Sequence, residues 1–144
     1  MDRKGQASAE YLLLVVVILI VLGWLIINVY QPAIGATVDI SGASETKNAV
    51  GSIADAVNLV YANGPGAKRT LNLYIPPPAA ITANNTTRLL GMNVLLSNGT
   101  SKYVNDSVNY NVTIVPPTVT TKKWYTVTVE WNLATRNYIT VTIA

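Results

Sequence analysis

Residues 12–27 read LLLVVVILIVLGWLII and carry no charge. Tyr11 precedes the run, and Asn28, Val29 and Tyr30 follow it. As a helix rising ~1.5 Å per residue, a stretch of about twenty residues nearly spans a bilayer core of roughly 30 Å. A helix that is apolar on every side belongs in lipid or inside a larger core. Tyr11 at one end, and Trp24 and Tyr30 toward the other, suit the membrane–water interface, where amphipathic rings settle. Arg3 and Lys4 stand just before the run, so the N-terminus is expected in the cytoplasm and the remainder across the membrane. Three fates stay open on these residues. A secretory signal is cut after its apolar core, here near Ala36 in NVYQPAIGA. A signal anchor keeps the whole chain. The third depends on what precedes the run.

That stretch is Lys4-Gly5-Gln6-Ala7-Ser8-Ala9-Glu10-Tyr11-Leu12. Through Gln6, Ser8, Glu10, Tyr11 and Leu12 it resembles the class III signal peptide of archaeal type IV pilins, Q-x-S-x-E-Y-L leading into an apolar helix. The resemblance ends with the apolar run. It implies cleavage by a prepilin peptidase between Gly5 and Gln6, on the cytoplasmic side, so that residues 1–5 are a leader and the helix is kept. It also implies the partners: other copies of the chain in a helical homopolymer, a pilus assembly ATPase, a membrane platform protein, and membrane lipid before assembly. The expected role is structural, in a cell-surface filament for attachment. A minor pilin that binds a ligand such as DNA, or an anchored surface protein that never polymerises, are the alternatives.

Glu10 and Tyr11 are the expected assembly residues. A carboxylate in the first turn of a helix is favoured by the helix dipole by about 0.3–1 kcal/mol. The resemblance adds a second role for Glu10, neutralising the new α-amine of Gln6 in an adjacent subunit.

Pro32 has no N–H and crowds the preceding turn, so it is expected to end or kink the first helix. Gly35 and Gly42, with Thr37, Val38 and Ile40 between them, make 33–42 a weak helical stretch. A second helix is expected after Ser44, where Val50, Ile53, Ala54, Val57, Val60 and Tyr61 recur at three- and four-residue spacing. Asn63-Gly64-Pro65-Gly66 stops it.

Beyond Gly66 the period becomes two. Leu71, Leu73 and Ile75 alternate with polar residues, closed by Pro76-Pro77-Pro78. Val108, Tyr110, Val112 and Ile114 form a second such run, closed by Pro116-Pro117. Tyr125 to Leu133 form a third and Ile139 to Ile143 a fourth, the last two expected to pair as a hairpin. Asn98-Gly99 predicts a tight primed turn between strands at 92–96 and 102–104. The fold class is therefore α+β: a long N-terminal hydrophobic helix, kinked near Pro32, plus a small antiparallel sheet or sandwich. The expected organisation is a leader (1–5), a transmembrane or filament-core helix (6–31), a kink and amphipathic helix (32–66), and a β-rich extracellular head (67–144).

Five asparagines head N-x-Ser/Thr acceptor sequences: Asn84, Asn85, Asn98, Asn105 and Asn111. All lie in the part expected outside, where an oligosaccharyltransferase would be the partner. Asn84 and Asn85 overlap, so one of that pair is expected to be used. The other reading is that all five are ordinary turn and strand residues.

Cysteine and histidine are both absent, which excludes thiol catalysis, disulfides, zinc fingers and histidine bases. The carboxylates are scattered, and neither a phosphate loop nor metal-ligand spacing occurs, so no enzyme, cofactor or metal is expected. Past Val50 the bases Lys68, Arg69, Arg88, Lys102, Lys122, Lys123 and Arg136 outnumber Asp55, Asp106 and Glu130. They do not cluster with stacking aromatics, so nucleic acid is not an expected partner.

Overall fold

The computed structural model describes residues 3–76, 79–116, 118–121, 123–134 and 136–144. The chain divides into two compact units, Met1–Val38 and Asp39–Ala144. The first is helical, built from α1 (Arg3–Leu25), a π-helical segment (Ile26–Tyr30) and the start of α2 (Gln31–Asn63).

Pro32 does not end the helix; it sits in the first turn of α2. The irregularity takes the form of the π segment just before it, where the Gln31 N–H donates to the Ile26 carbonyl, five residues back. The widened turn relieves the crowding between a proline ring and the carbonyl one turn earlier. Residues 33–42 are helical throughout. Each glycine or β-branched residue there disfavours helix by about 1 kcal/mol or less. Extending a helix already formed on both sides needs no new nucleus.

In the second unit, Thr46, Ala49, Val50, Ile53, Ala54, Val57 and Val60 of α2 are buried, at the spacing expected of one helical face, while Asp55 is exposed. Gly64 ends α2 at φ +87°, its N–H reaching the carbonyls of Val60 and Tyr61, both at 3.2 Å. A left-handed glycine here satisfies carbonyls that the helix leaves open.

Eight strands follow among the described residues: β1 (Lys68–Ile75), β2 (Ala79–Asn84), β3 (Leu89–Leu95), β4 (Ser101–Ser107), β5 (Val112–Val115), β6 (Thr118–Val119), β7 (Lys123–Glu130) and β8 (Ile139–Ile143). They form two four-stranded sheets, ordered β1-β7-β8-β5 and β4-β3-β2-β6. A single hydrophobic cluster draws on α2 (Ile53, Val57), the first sheet (Ile75, Val127, Val141) and the second (Ile81, Leu90, Met92). The α+β class expected from the sequence is the one observed.

Three details differ from expectation. The β7–β8 hairpin forms, Val127 facing Ile143 and Val129 facing Val141, but β8 also pairs with β5 in parallel. The first sheet is therefore mixed. The chain passes through β6 of the other sheet and β7 before returning, which supplies the crossover that parallel pairing needs. The strand expected over 108–114 begins only at Val112. The Val108 N–H instead donates to the Arg88 carbonyl at 2.9 Å, and the Asn109 N–H to Asn58 Oδ1 at 2.8 Å, which takes both donors out of the ladder. Finally, β3 and β4 do form a hairpin, but not through a two-residue primed turn. The Gly99 N–H donates to the Leu96 carbonyl at 2.9 Å and the Leu96 N–H to the Thr100 carbonyl at 2.8 Å. Only Gly99 has positive φ, +80°. This is the three-residue loop in which glycine takes the left-handed position. Asp2, Pro77, Pro78, Pro117 and Lys122 lie outside the described residues.

Gly91 of β3 lies under the Tyr103 ring of β4. A Cβ at this position would stand 2.5 Å from Tyr103 Cζ and 2.6 Å from the Val104 carbonyl. Gly91→Ala is therefore expected to destabilise the second unit by about 1–3 kcal/mol through overpacking, read as a lowered urea midpoint of the detergent-solubilised chain. An unchanged midpoint would show that the ring moves aside without loss.

Candidate functional site: the apolar helix and the sequon-bearing surface

From Tyr11 to Tyr30, seventeen large hydrophobic side chains are exposed, among them Leu12 at 65%, Ile20 at 65% and Trp24 at 61%. None of the most apolar window of this helix is buried, and it is long and apolar enough to cross a membrane. The one amide side chain of the segment is satisfied within it. Asn28 Nδ2 donates to the Trp24 carbonyl at 2.8 Å, within the helix. Such internal pairing is what a lipid environment demands of a lone amide. Gly5 and Gln6 lie on the first turns of α1. Glu10 and Tyr11 are exposed at the head of the apolar surface. The four residues thus share one short segment of a single helix.

The five sequon asparagines fall into two groups. Asn85 and Asn111 are engaged. Asn85 Oδ1 accepts from the Val112 N–H at 2.8 Å and its Nδ2 donates to the Val112 carbonyl at 3.3 Å, so the amide docks on the first residue of β5. Asn111 Nδ2 donates to the Asn137 carbonyl at 3.3 Å. Asn111 precedes β5 and is half-buried. Its backbone carbonyl accepts from the Ile139 N–H, which draws it toward β8. Asn84, Asn98 and Asn105 are exposed, as Asn85 also is, and none of the three has an amide bonded at both ends as Asn85 has. Asn84 Oδ1 caps the following turn, accepting from the Thr86 and Thr87 N–H groups. Asn98 sits in the β3–β4 loop, and Asn105 lies within β4.

Polar anchors that periodicity did not reveal hold α2 to the second sheet. Asp39 accepts from the Ser97 N–H at 2.7 Å and from the Ser97 hydroxyl at 2.8 Å, clasping the β3–β4 loop. Lys47 Nζ meets Asp106 Oδ2 at 2.8 Å and the Asn105 carbonyl at 3.0 Å. Asn58 bridges the Ser107 carbonyl and the Asn109 N–H. The apolar stripe carried no sign of these contacts, since Asn58 stands beside it and not within it. Their partners, 49 to 59 residues away, follow from the fold alone. Among the described residues no group of acidic side chains is placed to hold a metal ion. A cavity of about 220 Å³, lined by Glu45, Ala49, Leu73, Tyr74 and Trp124 among others, is mainly apolar.

Compared with family models, with curated proteins and with solved structures, the chain matches none.

The Lys47 ammonium bonded to Asp106, helped by the Ser107 N–H, holds the Asp106 carboxyl below its ordinary value of 3.8. Asp106 thus binds its proton more weakly folded than unfolded. Its stabilisation is present above 3.8 and is lost as pH falls through the lowered folded value. Because the pair is partly solvated, Asp106→Asn is expected to lower stability at neutral pH by only about 0.2–1 kcal/mol. Denaturation midpoints of the variant and the parent should converge as pH falls below 3.8. A gap that widens in acid would contradict the pairing.

Proposed function

We propose that the chain is a structural subunit of an archaeal type IV pilus-like surface filament. On this reading a prepilin peptidase removes residues 1–5, and the retained helix, first held in the cytoplasmic membrane, packs against its copies in the filament core. The β-rich part is displayed outside the cell for attachment. The observation that carries the reading is the charge-free helix from Tyr11 to Tyr30, exposed on all sides, directly behind the Gln6-Ala7-Ser8-Ala9-Glu10-Tyr11-Leu12 motif. Sequence supplies the signal, and the exposed surface supplies the reason to associate.

The chemistry is that of assembly. Lipid and a bundle of like helices are both apolar, so leaving the membrane yields little hydrophobic gain. Cohesion must come from close packing and from polar pairs at depth. A carboxylate in such a core requires a partner, and the amine exposed by cleavage before Gln6 supplies one for Glu10. The attachment partner is a surface, and no site for a soluble substrate is invoked.

Glu10→Ala is expected to leave membrane insertion intact while reducing sheared filament several-fold, measured as subunit in the sheared fraction against subunit in membranes. Normal filament yield would remove the pairing role from Glu10. Gly5→Leu is expected to leave the chain uncut, retained in membranes at precursor mass. Complete processing of that variant would move the cut elsewhere.

A further inference from the structure

We infer that Asn98 is the principal N-glycosylation site of this chain, and that Asn85 and Asn111 are structural amides despite their acceptor sequences. The inference rests on the export of the β-rich part proposed above.

Transfer of a glycan requires the asparagine amide to reach a transferase and attack the anomeric carbon of a lipid-phosphate-linked oligosaccharide. The C–N bond forms as the anomeric C–O bond breaks. The electron pair leaves with the lipid phosphate, and the amide proton passes to a base on the transferase. The acceptor must therefore be presented with its Nδ2 outward and its neighbours free to enter a second protein.

Asn98 meets these requirements. It is exposed in the three-residue loop between β3 and β4, with Gly99 beside it at φ +80°. Its Oδ1 already accepts from the Thr100 N–H at 2.9 Å and the Thr100 hydroxyl at 2.6 Å. Those bonds fix the carbonyl side of the amide and turn Nδ2 away. The hydroxyl that the acceptor sequence demands is in contact with the amide before any enzyme arrives. Asp39 holds the loop at Ser97, one residue upstream, so the site is presented on a fixed base.

The others are worse placed. Asn85 spends both ends of its amide on Val112, and rotating it out would undo the docking of β5. Asn111 gives its Nδ2 to Asn137 and stands half-buried. Asn105 lies inside the β3–β4 ladder opposite Gly91, with Lys47 on its carbonyl. Asn84 lies in the β2–β3 ladder opposite Leu89, and its Oδ1 accepts from backbone N–H groups alone, without the threonine hydroxyl that Asn98 engages.

The test is peptide mapping by mass spectrometry of the full chain, produced in an archaeal host whose own surface proteins are shown to carry N-glycans. Occupancy is expected to be highest at Asn98 and absent from Asn85 and Asn111, with N98Q losing one glycan-sized increment. N85Q and N111Q are expected to keep the full increment while lowering the melting temperature. A bare Asn98, or glycan on Asn85 or Asn111, would overturn the inference. The chain has no cysteine, so Thr70→Cys supplies a unique label for an impermeant maleimide on intact cells. A labelled chain without glycan overturns the glycosylation site and leaves export standing. An unlabelled chain overturns export and the site with it.

Discussion

The constraint on which everything else depends is the unburied apolar surface between Tyr11 and Tyr30. Covering a Leu, Ile or Val side chain is worth about 1.5–3 kcal/mol. Discounted by about half for partial exposure, the fourteen Leu, Ile and Val side chains exposed there represent on the order of 15 kcal/mol. A whole domain is stable by only about 5–15 kcal/mol. The helix therefore cannot stand in water. It is long and apolar enough to cross a membrane, and lipid and a bundle of like helices are nearly equivalent covers in hydrophobic terms. On the proposed reading, that equivalence is what lets the helix be stored in one and moved to the other.

The second unit follows from the same constraint. With the apolar helix committed elsewhere, Asp39–Ala144 stands on its own core, and it has no disulfide to help. It does so by donating one face of α2, from Val50 to Val60, to a cluster shared by both sheets. Buried apolar contact supplies the stability. Asp39–Ser97, Lys47–Asp106 and the Asn58 bridge supply the register between helix and sheet. Each of these is modest in energy, because the groups are exposed and water competes for them. The aromatic group of Tyr61, Tyr110 and Trp131, with centroids 4.8 to 5.7 Å apart, packs the C-terminal end of α2 against the residues flanking β5 and β7.

Much of the architecture was legible in the residues, because burial imposes periods. The α2 stripe at Val50, Ile53, Val57 and Val60 and the alternation through Tyr125, Val127 and Val129 both appear inside, as their spacing required. Pro32 marked the irregularity correctly, but a local rule about donors and clashes cannot choose between a helix end and the π turn, Ile26–Tyr30, that relieves the clash and lets the helix continue. Val108 and Tyr110 alternate like a strand, but Val108 is buried between non-ladder bonds and Tyr110 serves an aromatic stack. The parallel β5–β8 pair depends on the path of the whole chain and has no local signature. Among the sequons, sequence treats five asparagines alike; three-dimensional placement separates Asn98, at a clasped loop, from Asn85, whose amide holds β5 in place.

The most direct measurement is the intact mass and N-terminal sequence of material sheared from cells. The account predicts an abundant chain beginning at Gln6, with the apolar helix retained. A chain that still begins at Met1 and is confined to the membrane fraction would contradict it, leaving a surface protein anchored by the same helix but never assembled.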